Sequence, residues 1–133
     1  MTTEELKIWK RLNECESVKK VFGVNYLPLR IGDFYCCPRK TGISRVEDIY
    51  TVPKNAIWIP PLYDPIRPER SLIGMVESLG YTINLYQNLM LLPAHRWVCE
   101  LLKDCIKINV VCLDRPDLAL AQAIILNDGE GMT

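Results

Sequence analysis

The sequence predicts an α+β fold, in which an N-terminal helix and a proline-rich segment of short strands precede an α-β-β-β-α unit with an antiparallel sheet. Three observations predict it. Apolar residues recur with helical spacing at the start of the chain, after Pro68 and after Pro116. Runs typical of strands separate the last two of these stretches. Seven of the nine prolines lie between residues 24 and 68, which excludes a long helix from that part of the chain.

The first helix is predicted to begin after Thr2. Thr2 and Glu5 have the spacing of a capping box, in which each side chain accepts a hydrogen bond from an unpaired backbone N–H of the first turn. Leu6, Trp9 and Leu12 then follow one face of a helix. We expect a single amphipathic helix that ends before Gly23.

The proline-rich segment predicts short extended pieces. Strands are expected at residues 34–37 and 43–50, joined by a turn at residues 38–42. Residues 58–65 contain Pro60, Pro61 and Pro65, which cannot donate ladder hydrogen bonds, so this run is expected to be a surface segment or an edge strand.

The second half predicts two helices around three strands. Leu72 to Leu79 has the broad apolar stripe of a core-facing helix, and Gly80 supplies its C-terminal stop. Residues 81–86 alternate as a half-buried strand, and residues 107–113 are rich in β-branched side chains. Residues 93–104 fit either a helix that begins at Pro93 or a strand. We favour a strand at 96–102, because residues 81–86 need an antiparallel partner.

The last helix is predicted from Asp114 onward, since an early proline and an acid in the first turn are typical of helix starts. Its residues 118–126 are apolar on nearly every side except Gln122, which indicates packing in a core or against a partner. The resulting organisation is an N-terminal region, residues 1–67, a unit at residues 68–127, and a frayed tail at residues 128–133. At 133 residues we expect one compact domain.

Composition narrows the function class. Sixteen basic residues balance sixteen acidic ones, so the strong basic excess typical of nucleic-acid binders is missing, and we do not expect a duplex partner. The first residues lack a signal-peptide pattern and the apolar runs are short, so we expect a cytoplasmic protein that does not enter a membrane. Six cysteines without a C-x-x-C pair, together with one histidine, predict neither a metal site nor a cofactor.

Residues 68–127 resemble a known family. The runs Arg70–Met75, Leu79–Tyr81, Trp97–Val98 and Asp114–Ile124 are similar to small phage and prophage proteins of the phage ABA sandwich type. The resemblance implies a bacteriophage accessory protein, and it carries over no catalytic residue. It leaves residues 1–67 uncovered.

No catalytic signature is present in the sequence, so we expect a protein that is not an enzyme. His95, beside Arg96, could act as a general base or contact a phosphate, although a lone histidine at a strand edge needs no such role.

The segment that leads into the second helix is the main candidate site. Proline holds extended chain rigid, and aromatic and arginine side chains on such a segment bind at a low cost in conformational entropy. Aromatic rings stack on bases, and arginine forms bidentate hydrogen bonds with phosphate. The same residue types are enriched at the hot spots of protein interfaces. A third interpretation is an arm that merely covers the core. A second basic spot joins Arg39 and Lys40 with Arg45. The predicted ligand-binding residues are Trp58, Tyr63, Arg67, Arg70, Arg39, Lys40, His95 and Arg96.

The function that we expect from the sequence is therefore non-enzymatic. A phage accessory protein would bind and neutralise a host factor in counter-defence, either by sequestering a nucleotide-type immune signal or by inhibiting a defence protein. The alternatives are a small homodimeric structural or assembly protein that associates through the apolar last helix, and a minor enzyme that uses His95.

Overall fold

Helices and two antiparallel sheets make up the part of the chain that the computed structural model describes, residues 2–22, 29–37 and 42–128. The α+β class is therefore confirmed. The helices are α1 (Thr3–Glu14), α2 (Glu16–Phe22), α3 (Leu72–Ser78) and α4 (Pro116–Asn127). The strands are β1 (Phe34–Cys36), β2 (Ser44–Arg45), β3 (Ile57–Trp58), β4 (Thr82–Gln87), β5 (Trp97–Lys103) and β6 (Ile106–Leu113). None of the described helices is long and apolar enough to cross a membrane.

The N-terminal helix begins where the capping box predicts, but it is broken at Cys15. The Thr2 hydroxyl accepts a hydrogen bond from the Glu5 backbone N–H at 3.2 Å. Cys15 is extended, with ψ of 130°, and a second helix begins at Glu16. The cap of that helix comes from the other end of the chain, because the Asp128 carboxylate accepts the backbone N–H of Ser17 at 3.0 Å and its hydroxyl at 2.9 Å. The prediction of one continuous helix was wrong, and Asp128, predicted to fray, is held in place.

The first sheet has the order β2-β1-β3 and is smaller than predicted. The expected strand at 43–50 was too long, since the strand is limited to Ser44 and Arg45. Residues Ile49–Thr51 form a 3-10 turn, because the Asp48 side chain accepts the Tyr50 N–H at 2.9 Å and so caps a turn where the ladder would continue. The first predicted strand ends at Cys36. Of the predicted turn, residues 38–41 lie outside the described residues.

Strand β3 is an edge strand, as the prolines after it predict, but it is buried. Trp58 is 1% exposed and Ile59 is 7% exposed, so the prediction of a surface segment was wrong at the start of residues 58–65, whereas Tyr63 is 54% exposed. The edge of β3 is closed by one side chain, since Asn13 accepts the Trp58 N–H at 3.0 Å and donates to the Trp58 carbonyl at 2.9 Å. An amide group has one donor and one acceptor side and can therefore replace a neighbouring strand.

The second sheet confirms the predicted α-β-β-β-α order. Its strands lie in the order β4-β5-β6, with Leu85 opposite Cys99 and Cys99 opposite Val111. Residues 97–103 are a strand, and the alternative helix is limited to a single 3-10 turn at Pro93–His95. Cys99 and Val111 belong to the hydrophobic core, and Leu85 packs against it. The face of the sheet that carries them therefore packs against the helices.

Helix α4 is the centre of the core. Eight of its residues are buried, and it packs on α1, β5 and β6. Pro116 occupies its first turn as predicted, while the guanidinium of Arg115, at the N-cap, pairs with Asp117 and with Glu5 at 3.0 Å. The apolar character of this helix is therefore explained by packing within its own chain, and it no longer indicates a homodimer. Residues from both halves of the sequence share this core.

Gly80 ends α3 in the left-handed region, with φ of +85°. No atom lies within 4 Å of the position a Cβ would take, so only the backbone opposes a side chain. We expect Gly80→Ala to lower the free energy of unfolding by about 1 kcal/mol in urea denaturation, because an L-residue is strained at this φ. Gly80→Asn should cost less, since Asn tolerates this conformation. An equal loss for both variants would contradict the backbone explanation.

Candidate functional site

A cleft of about 460 Å³ lies between the first sheet and the segment that leads to α3. Its walls are mainly apolar and aromatic, with Phe34 and Tyr63 supplying the rings, and two arginines and one aspartate supply the charge. The lining residues are Ile31, Gly32, Phe34, Arg45, Pro61, Tyr63, Asp64, Pro65, Ile66 and Arg67.

Local hydrogen bonds shape the wall formed by residues 61–67. The Asp64 carboxylate accepts the backbone N–H of Ile66 at 2.9 Å and that of Arg67 at 3.1 Å, which is the geometry of an Asx turn. The N–H of Arg67, and then that of Ile66, hold the pKa of Asp64 below its ordinary value, because they favour the charged carboxylate. The turn directs the Arg67 side chain toward β1. The backbone N–H of Leu72 donates to the Pro61 carbonyl at 2.9 Å and ties this wall to α3.

A buried ion network lies behind the cleft and fixes Arg67. Asp33, 1% exposed, pairs with the guanidinium of Arg70, which is equally buried, and with that of Arg67 at 3.1 Å. Arg67 also donates to the Ile31 carbonyl at 2.9 Å and lies 3.5 Å from the Asp64 carboxylate. Gly32 lets the backbone pass close to the Arg67 guanidinium. The φ of Gly32 is +93°, and a Cβ there would lie 3.2 Å from Arg67 Cζ.

Arg45 differs from Arg67 in having no carboxylate partner among the described residues. Its side chain is exposed, and its Cζ lies 5.9 Å from the centroid of the Phe34 ring. Phe34 and Arg45 face each other in the β1–β2 register, which places both on the same side of the sheet. Arg67 is balanced by Asp33 and Asp64, so the charge that the cleft offers a ligand comes from Arg45.

The structure brings only part of the predicted site together. Tyr63 is 54% exposed and lines the cleft with Arg67. Trp58 and Arg70, predicted to be displayed, are both 1% exposed, which makes them core residues. The guanidinium of Arg70 stacks 4.6 Å from the Trp58 ring, and its pairing with Asp33 compensates the charge inside. The prediction that these two side chains are available at the surface to bind a ligand was therefore wrong.

The other predicted residues lie elsewhere. Arg39 and Lys40 fall outside the described residues. His95 and Arg96 belong to the turn before β5, where His95 Nδ1 lies 3.2 Å from the Cys112 carbonyl oxygen and Arg96 Nε donates to the Leu91 carbonyl at 3.2 Å. Neither residue lines the cleft. Sequence reasoning missed Phe34 as a site residue and named Arg45 only as part of a basic spot. The signal that could have joined them was the predicted hairpin, which places residue 34 near residue 45.

The cysteines have clearly different environments. Burial is the main reason that the pKa values of Cys15 and Cys99 rise to about 12, whereas Cys105 is exposed in the turn between β5 and β6. Thiolates are the reactive form. We expect Cys105 to react first with a chromogenic disulfide at pH 8, and Cys15 and Cys99 to react only on unfolding. Cys105→Ser should remove the fast phase. A fast phase that survives in this variant would contradict the assignment.

No family model, curated protein or solved structure matches the chain. The resemblance to phage proteins thus stays a prediction. Within the described ranges, no group of three or more His, Cys, Asp or Glu side chains is placed to hold a metal ion. The cleft is the feature from which function can be argued.

Proposed function

We propose that this chain is a non-catalytic phage accessory protein that binds a host protein through the cleft and inhibits it as a counter-defence. The observation that carries the binding proposal is the position of Arg45 beside exposed apolar side chains. Phe34 is 37% exposed, Tyr63 54% and Ile66 89%. The phage origin is supported by the resemblance of residues 68–127 alone.

This arrangement is typical of a protein interface. Interface hot spots are enriched in Tyr, Trp and Arg, and the surrounding contacts exclude water from them. Ile31, 64% exposed, extends the apolar surface on the β1 side of the cleft. The Asp33 network and the Asx turn hold both walls before a partner arrives, so binding would order few side chains.

A nucleotide-like ligand is the second candidate. Phe34 and Tyr63 offer two aromatic rings beside the Arg45 guanidinium, for which the described part of the chain provides no carboxylate partner, and this combination could stack a base and bind a phosphate. We favour a protein partner because the cleft is open, and because Asp64 would lie near any second phosphate. Mass spectrometry of small molecules released by heating the purified protein tests this candidate. Recovery of a nucleotide whose binding requires Arg45 and Tyr63 would replace the protein partner with a small ligand.

The main experiment is capture from a bacterial lysate, followed by affinity measurement on the identified complex. Arg45→Glu and Tyr63→Ser should each weaken binding by about 30-fold or more, the effect of losing a hot-spot side chain. The matched controls are Arg11→Glu on α1 and Tyr86→Ser on β4, both exposed and away from the cleft. We expect both controls to bind as the parent protein does.

The pattern across the four variants decides the proposal. Equal binding by all four would place the interface elsewhere on the molecule. A loss in the two control variants as large as in the cleft variants would also overturn the cleft as the binding surface. Thermal unfolding of each variant separates weaker binding from a damaged fold.

A further inference from the structure

The two edges of the first sheet differ in whether their outward backbone groups form hydrogen bonds. On the β3 side, the Asn13 amide forms hydrogen bonds with both the N–H and the carbonyl of Trp58, so no further strand can add there. On the other side, β2 is the terminal strand of the sheet among the described residues, and residues 42–45 are all exposed. An unpaired strand edge is a template for another chain.

The backbone N–H and carbonyl groups of successive residues along β2 alternate between facing β1 and facing away from it. The Val46 N–H donates to the Asp33 carbonyl at 2.8 Å, and the Val46 carbonyl accepts the Gly32 N–H at 2.9 Å, so both groups of Val46 face β1. Successive residues of an antiparallel strand direct these groups to opposite sides. The N–H and carbonyl groups of Arg45 therefore face outward, and so do those of Ile43 in the same extended segment.

We propose that the protein partner contributes an extended segment, which adds to β2 as a further strand and places a carboxylate against Arg45. This inference rests on the proposed function and names how the partner binds. Arg45 contributes twice, with its outward backbone groups to the ladder and its guanidinium to the ion pair. Ile43, 54% exposed, lies two residues away on the same face, so an apolar side chain two positions from the carboxylate would pack there.

The charge of the site favours this partner. Arg67 and Arg70 together are compensated by Asp33 and Asp64, which leaves Arg45 as the charge at the cleft without a carboxylate partner among the described residues. A cross-strand pair of opposite charges is stabilising, and a basic side chain opposite Arg45 would be repelled. We therefore expect the added segment to carry an acidic and an apolar side chain two positions apart.

The test uses peptides selected from a random dodecapeptide display library on the immobilised 133-residue chain. We expect enriched peptides to contain an acid two residues from an apolar side chain. Ile43→Pro removes one outward N–H without removing a bond to β1, and proline is tolerated at such edge positions. Ile43→Ser is the matched control, since it loses the same side chain and keeps the N–H. Ile43→Pro should bind the selected peptide at least ten-fold more weakly than Ile43→Ser.

Hydrogen exchange supplies a second readout, which side-chain docking alone would not change. The Arg45 amide should exchange more slowly in the peptide complex than in the unbound protein. If Arg45→Glu abolishes binding while Ile43→Pro and Ile43→Ser bind equally and the amide stays unprotected, strand addition is wrong and the cleft remains the site. If the selection enriches no peptide that depends on Arg45, strand addition is overturned, and the lysate capture tests the cleft separately.

Discussion

Replacing Asp33 with Asn should lower the free energy of unfolding by about 3–5 kcal/mol, the cost of removing one member of a buried ion pair. Asp33 and Arg70 are each 1% exposed, so the guanidinium of Arg70 would keep its charge without its buried counterion. The Arg67 side chain, 26% exposed, would lose the contact that positions it at the cleft. Urea denaturation measures the stability, and binding by the folded fraction should weaken as well.

Two further variants make the ion-pair explanation specific. Asp48→Asn removes an exposed carboxylate and keeps an oxygen that can accept the Tyr50 N–H, so we expect a change below about 1 kcal/mol. In the Asp33→Asn, Arg70→Met double variant, the loss should be smaller than the sum of the single losses, because the second change removes the uncompensated charge. Additive losses would show that the two residues act independently.

Replacing Gly74 with Ala should have a comparably large effect, with a loss above about 3 kcal/mol or failure to fold, the upper end for overpacking. A Cβ on Gly74 would lie 1.9 Å from the carbonyl oxygen of Pro68 and 2.7 Å from its carbonyl carbon. That backbone cannot move easily, since the Pro68 carbonyl accepts the Ser71 hydroxyl at 2.6 Å and the Arg70 N–H donates to the Arg67 carbonyl at 2.9 Å. Alanine improves helix propensity by only about 1 kcal/mol, so the clash dominates and the substitution lowers the free energy of unfolding.

The matched control for this variant is Gly42→Ala. No atom of the described residues lies within 4 Å of the Cβ position at Gly42, and the backbone of Gly42 is not in the left-handed region. We expect its stability to be unchanged or slightly higher, because alanine reduces the entropy of the unfolded chain. Circular dichroism and soluble yield compare the two proteins even if Gly74→Ala does not fold. A Gly74→Ala protein as stable as the parent would mean that α3 does not approach Pro68 this closely.

Elements set by neighbouring residues were predicted from the sequence better than those set by distant residues. The second half of the chain was predicted well because its signals are local: the apolar stripe before Gly80, the alternation at 81–86 and the proline at the start of α4 each act within a few residues. The wrong predictions concern elements whose stabilising contacts come from residues far away in sequence. The helix breaks at Cys15 because its second part is capped by Asp128, more than 100 residues away.

The candidate site shows the same division. The sequence correctly indicated that no long helix runs through the described part of the proline-rich segment, and Tyr63 and Arg67 do line a cleft. Residue type alone cannot distinguish an arginine in the core from one at a surface. Arg70 can be buried because Asp33, 37 residues away, compensates its charge, and the backbone of Trp58 can be buried because Asn13, 45 residues away, pairs with its N–H and carbonyl groups.

The sequence by itself determined the α+β class and the order of the α-β-β-β-α unit, since hydrophobic periodicity and proline and glycine positions act through neighbouring residues. Only the tertiary structure decided which arginine is available to a ligand. Arg67 and Arg70 are engaged by carboxylates that the fold brings to them, whereas Arg45 meets only the Phe34 ring within the described residues. The physical reason is that the availability of a charge depends on its neighbours in space, and chain folding sets those neighbours.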